Sequence, residues 1–167
     1  MFSKKILVLL VAFTAVVLLL AAATYLSPMR KPAGEKNFRL IADDFCYNQS
    51  KGGPELRVKS GDKVTITMLN KGEQTHEMIL VDKETLAFAL DPTVAHEGEE
   101  GLDKALGRHI EPVFTGALIN ETKPGQTGSM TFVAGPPGNY VYGCFTDEPD
   151  TTLHAFRGMW GEFIVES

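Results

Sequence analysis

Four side chains of this sequence could together bind a soft metal. Cys144 ends the run Gly138-Asn139-Tyr140-Val141-Tyr142-Gly143-Cys144. His154 follows after nine intervening residues, and Met159 stands just before the apolar run Trp160 to Val165. A second imidazole, His76, opens the run His76-Glu77-Met78-Ile79-Leu80-Val81. Thiolate and thioether sulfur favour Cu(I), while imidazole suits both copper states. Two histidines, one cysteine and a weak axial methionine make a trigonal site for one copper ion (Cu+/Cu2+) that can pass single electrons. A lone methionine is usually core filler, and a lone histidine is more often a satisfied surface residue. The ordered set, in a strand–loop–strand context, is what points to metal.

Short strands separated by turn residues must carry these donors. Val64, Ile66 and Met68 alternate with Thr65 and Thr67, the period of a half-buried strand. Extended segments are predicted over 37–47, 56–59, 78–81, 127–134, 139–145 and 162–166. Turns are predicted at Ser60-Gly61-Asp62, Asn70-Lys71-Gly72 and Gly135-Pro136-Pro137-Gly138. About seven strands of this kind predict an all-β, Greek-key β-sandwich. Residues 83–111 break the pattern, and their helix-friendly composition predicts a surface insertion with one or two short helices.

The N-terminal part is of another kind. Residues 6–26 carry no charge and follow Lys4 and Lys5. As a helix they would span about 30 Å, the thickness of a bilayer core. The expectation is a signal peptide or membrane anchor over residues 1–31, a linker over 32–37 and one globular domain over 38–167. Lys4, Lys5, Arg30 and Lys31 are the only charged residues before residue 32. The remainder therefore holds 12 basic and 21 acidic side chains, a net charge of −9. That balance disfavours nucleic acid as a partner. An export-type N-terminus places the domain outside the cytoplasm, in a periplasm or at a cell surface.

Several segments resemble the cupredoxin family of blue (type 1) copper proteins: VKSGDKVTITMLNKG before His76, TKPGQTGSMTF before the last hairpin, GNYVYGC at Cys144 and HAFRGMWGEFIV at the end. The resemblance covers roughly residues 38–81 and 118–166 and is strongest to bacterial cupredoxin-like proteins with a long ligand loop. It implies a cupredoxin sandwich whose copper ligands are His76, Cys144, His154 and Met159. The nine-residue Cys-to-His spacer is longer than in plastocyanin-like or azurin-like members. Its Asp147, Glu148 and Asp150 predict an open, hydrated site. Glu77 stands where many members have Asn or another small polar residue.

Two cysteines in an exported chain leave a Cys46–Cys144 disulfide as the competing reading. If Phe45 and Tyr47 face the core, Cys46 points outward and reaches Cys144 poorly. Tyr140 and Tyr142 alternate with Cys144 and are expected to pack beneath the metal. Trp160 is expected in the core, and His96 and His109 are read as solvated surface rather than a second metal site. Asn48 and Asn120 lie in glycosylation sequons. No nucleophile–base pair suggests an enzyme. The expected function is one-electron transfer to a redox partner protein, with His154 on an exposed loop as the electron port. The alternative is copper storage, delivery or resistance, which an open site would favour.

Overall fold

A computed structural model of the chain describes residues 33–147 and 150–167. The apolar run expected as a signal or anchor lies outside the described residues. Among the described residues, no helix is long and apolar enough to cross a membrane.

The described residues form nine strands: β1 (Glu35–Asp43), β2 (Cys46–Tyr47), β3 (Leu56–Lys59), β4 (Lys63–Asn70), β5 (His76–Val81), β6 (Leu118–Thr122), β7 (Thr127–Val133), β8 (Gly138–Gly143) and β9 (Trp160–Glu166). They build a four-stranded sheet in the order β2-β1-β4-β7 and a five-stranded sheet in the order β3-β9-β8-β5-β6. β1 starts at Glu35, so residues 35–37, expected as linker, are strand. The single segment expected over 37–47 is two strands folded back antiparallel about Asp44 and Phe45.

The expected alternation of β4 is present. Val64, Ile66, Met68 and Asn70 are buried and the residues between them are not. Ile66 and Met68 join Leu40, Met130, Phe132, Tyr142, Phe163 and Val165 in the core between the sheets. β5 behaves differently, because Met78, Ile79, Leu80 and Val81 are all buried. A strand with both faces covered loses its alternation, and the cover on the outer face is the insertion.

That insertion holds three short helices: α1 (Lys83–Ala89), α2 (Pro92–Ala95) and α3 (Gly98–Leu106). Asp82 caps α1 by accepting the Thr85 N–H, and Asp91 caps α2 by accepting the Thr93 N–H. Leu86, Ala89 and Leu102 pack with Ile79, Val81 and Val141 of the sheet and with Phe145, Leu153 and Ala155 of the segment carrying His154. The insertion was expected as surface; it is instead one wall of a second hydrophobic core. The composition revealed the helices, but the partner of their apolar face is distant in sequence.

Leu102 is fully buried in that wall. Leu102→Ala is expected to lower unfolding free energy by about 2–5 kcal/mol, since the lost burial adds to the cavity left behind. Urea unfolding of the metal-free protein measures it.

Candidate metal centre

His76 comes from the start of β5, and Cys144, His154 and Met159 from the connection between β8 and β9. Asn70, buried at the end of β4, organises the turn that delivers His76. Its Nδ2 donates to the carbonyls of Gln74 at 2.8 Å and Thr122 at 2.7 Å, and its Oδ1 accepts the Gly72 N–H at 2.9 Å. His76 then opens β5 opposite Thr122. The β5–β6 register shifts between His76 and Met78, a bulge of the kind that re-aims side chains beside functional sites. Cys144 leaves the end of β8, and its N–H donates to the carbonyl of Met159 at 3.0 Å. The Met159 N–H in turn donates to the carbonyl of His154 at 3.1 Å.

The result is a tight triangle. His76 Nδ1 lies 3.2 Å from His154 Nδ1. Cys144 Sγ lies 3.9 Å from the first nitrogen and 3.4 Å from the second. A first-row ion bonded to nitrogen at about 2.0–2.1 Å and to sulfur at about 2.3 Å would separate trigonal donors by roughly 3.5–3.8 Å. The three side chains would fit such an ion after shifts of a few tenths of an ångström, and their softness suits copper. His76, Cys144, His154 and Met159 are all fully buried. No second group of three such donors occurs among the described residues.

The sulfur is held on two further sides. The Glu77 N–H points to Sγ at 3.4 Å, and the Thr146 hydroxyl lies 2.9 Å away. The Glu77 carboxylate turns back and accepts the Phe145 N–H at 3.0 Å. Tyr47 and Tyr142 pack on one another beneath the site, their ring centroids 5.2 Å apart. The Tyr47 hydroxyl donates to the carbonyl of Glu77 at 2.9 Å. Tyr140 and Tyr142 are both expected in this role; Tyr142 fills it, whereas Tyr140 packs edge-on to Phe114 and donates to the carbonyl of Pro136. Thr146 is not singled out by the sequence. Its signal is local, a hydroxyl two residues beyond the thiol.

The described end of the loop that carries His154 turns inward. Thr152, Leu153, His154 and Ala155 are buried. Four bonds fasten it to the helical insertion. Asp147 Oδ2 accepts the Glu99 N–H at 3.1 Å in the first turn of α3, an end that has no cap from its own N-cap residue. The Thr151 hydroxyl donates to the carbonyl of His96 at 3.0 Å. His96 Nδ1 lies 3.1 Å from the Thr152 hydroxyl, and the Leu153 N–H donates to the carbonyl of Ala95 at 3.0 Å. His154, expected to be exposed, is buried, although Asp150 and Thr151 just before it are exposed. Asp147 and Asp150 serve as anchors of the loop, and hydrophobic Leu153 and Ala155 pack inward.

Cys46 and Cys144 are both free thiols, so the disulfide reading is excluded. His96 is a loop anchor, and His109 is paired with the Asp103 carboxylate. Trp160 is half-buried and packs on the second core.

Among solved structures, the chain is similar to auracyanin B at 22% identity, with 81% of this chain and 91% of that one covered and a TM-score of 0.54. It is also similar to auracyanin A, a "blue" copper protein from Chloroflexus aurantiacus, at 23% identity, 80% and 100% coverage and a TM-score of 0.52. The chain has a cupredoxin fold. A blue copper oxidase from Nitrosomonas europaea matches at 22% identity and a TM-score of 0.52, over 79% of this chain but only 39% of that one. No protein-family model and no curated protein sequence matches the chain.

Burial sets the charge state of the site. It pushes the Cys144 thiol up to about 12, with Glu77 adding to the rise and the Thr146 bonds opposing it. It pushes His76 down to about 4, helped by His154 and opposed by Asp44. The metal-free triangle thus holds a thiol and a neutral His76 imidazole at pH 7. A cation must displace the thiol proton, so its affinity rises with pH.

Burial also raises the Glu77 carboxyl from 4.5 to about 7, while the Phe145 N–H opposes the rise. A folded carboxyl that holds its proton more tightly than the unfolded one stabilises the protein below pH 4.5 and loses that contribution as pH rises through 7. Glu77→Gln resembles the protonated form. Its metal-free protein should therefore exceed wild type in urea midpoint above about pH 7 and converge on it below about 4.5. A constant difference across that range would contradict the buried, protonated state.

Proposed function

We propose that the domain binds one copper ion through His76 Nδ1, Cys144 Sγ and His154 Nδ1, with Met159 as a weak axial donor, and that it carries single electrons. The observation behind this reading is the triangle of two imidazole nitrogens and one sulfur within 3.9 Å in a buried core. A copper ion held there supplies one-electron redox chemistry.

The residues around it supply rigidity. The Glu77 N–H and the Thr146 hydroxyl stabilise the thiolate by donating to it. Backbone bonds fix Met159 to both Cys144 and His154. Because every proposed ligand is buried, none presents an open face to bulk water, which suits a carrier better than an enzyme that must admit substrate. The same burial favours electron transfer over copper delivery, since handover needs an accessible ligand. A redox partner protein would exchange the electron through the side chains that cover His154, Phe45 among them. We place the domain outside the cytoplasm, exported or tethered through residues 1–31, on the strength of the uncharged run over residues 6–26.

Visible absorption and electron spin resonance after Cu(II) addition test the assignment. Wild type should give an intense thiolate-to-copper band. Cys144→Ser should lose it, and His154→Ala should lose or strongly shift it. An unchanged spectrum in Cys144→Ser would remove the sulfur from the site and the proposal with it. Repeated reduction and reoxidation in the presence of a Cu(I) chelator separates the two functions. A carrier keeps its copper through the cycles, whereas a delivery protein surrenders it.

A further inference from the structure

The turn joining β1 to β2 consists of Asp44 and Phe45, and it lies against both imidazoles. Asp44 Oδ1 accepts the Glu73 N–H at 2.7 Å and stands 4.0 Å from His76 Nε2. That nitrogen is completely buried and has no hydrogen-bond partner among the described residues. Gly72 makes the approach possible. A Cβ there would lie 2.4 Å from Asp44 Oδ1 and 3.0 Å from His76 Nε2, so any side chain would wedge the two apart.

Phe45 meets the other imidazole. Its ring stands edge-on to His154, with centroids 5.0 Å apart and planes at 80°. The Arg157 guanidinium sits 4.5 Å over the Phe45 ring and pairs with Asp150 of the ligand loop. Phe45 takes a backbone φ of +62°, a region that bulky residues rarely enter. An outlier of this kind persists where surrounding structure enforces it, and such positions cluster at functional sites.

Resting on the copper reading above, we infer that Asp44 and Phe45 are the positioning residues of the metal centre. The Asp44 carboxylate, 4.0 Å from Nε2 and beyond hydrogen-bond reach, acts through its charge and favours the His76 tautomer with Nε2–H toward it and Nδ1 toward Cys144. Phe45 fixes the His154 ring and keeps water from it. An imidazole that ligates through one nitrogen carries its proton on the other, and a carboxylate facing that proton sets the tautomer and makes the ligand more basic. A more basic ligand favours Cu(II) over Cu(I). A turn that merely closes a hairpin would do neither.

The test uses the full chain in detergent, as wild type, Asp44→Asn and Phe45→Ala. The readouts are reduction potential and the ring N–H signals of the Cu(I) form by nitrogen-15 NMR, with unfolding of the metal-free proteins as a control. Asp44→Asn keeps the size of the side chain and removes its charge. It should favour Cu(I) about tenfold, a rise of about 59 mV for one electron, and shift the His76 ring N–H signal. Phe45→Ala should lose the protected His154 ring N–H signal to exchange with water. If Phe45→Ala does not fold, Phe45→Leu, which keeps bulk without the ring edge, takes the same measurement. Failure of wild type to form the thiolate-to-copper band would overturn the copper reading itself. A normal band in wild type, with either variant matching wild type in its own readout, would overturn this inference alone.

Discussion

Three electron-rich atoms share a few ångströms in the interior of this domain, and the rest of the structure is arranged around that fact. Buried polar atoms are tolerated when they are bonded. Here the His76 and His154 Nδ1 atoms face each other at 3.2 Å, so without a metal one of them must offer a proton to the other. His154 Nδ1 is also 3.2 Å from the Thr146 hydroxyl, which lies 2.9 Å from the sulfur. A cation held by these three atoms would replace this compromise with direct bonds. Donors held in place beforehand would limit rearrangement between the oxidation states of a bound copper ion.

Rigid strands position two of the three donors. β5 and β8 are paired antiparallel, with Ile79 opposite Gly143, and this brings His76 and Cys144 to the same end of the sheet. The third donor sits nine residues beyond the cysteine, on a segment that would be mobile if left to itself. Fixing each backbone residue of such a loop costs about 1–2 kcal/mol in conformational entropy. The helical insertion meets that cost by burying Leu153 and Ala155 and by bonding the loop at four points. The long loop and the long insertion therefore belong to one device, although some forty residues separate them in sequence.

This explains what was readable in the chain and what was not. The alternation in β4, the turn at Asn70 and the order His, Cys, His are local patterns; the first two correspond to elements of the structure, and the three residues of the last converge in it. The burial of His154 was misjudged because it depends on Leu86, Leu102 and Ala95, which no local pattern connects to residues 151–155. An acidic residue in a loop suggests solvent; Asp147 instead accepts the Glu99 N–H at the start of α3, where a helix dipole favours negative charge. Asp44 and Phe45 carried no signal, since a strand period over 37–47 gave no reason to place a turn between them.

Backbone strain traces the same boundary. Non-glycine residues with left-handed φ among the described residues are Phe45, Asn48, Gln49 and Thr151. Asparagine tolerates this region readily, but an aromatic or β-branched residue there costs roughly 1–2 kcal/mol. Phe45 presses on His154 from one side, and Thr151 lies three residues before it on the other. Each is held by contacts to a different element: Phe45 by Arg157 and the imidazole, Thr151 by its hydroxyl bond to the carbonyl of His96. A relaxed backbone at either position would swing the chain away from the imidazole. Stability is thus given up at the two places where geometry at His154 is set, and the hydrophobic contacts of Leu153 and Phe145 in the second core offset it.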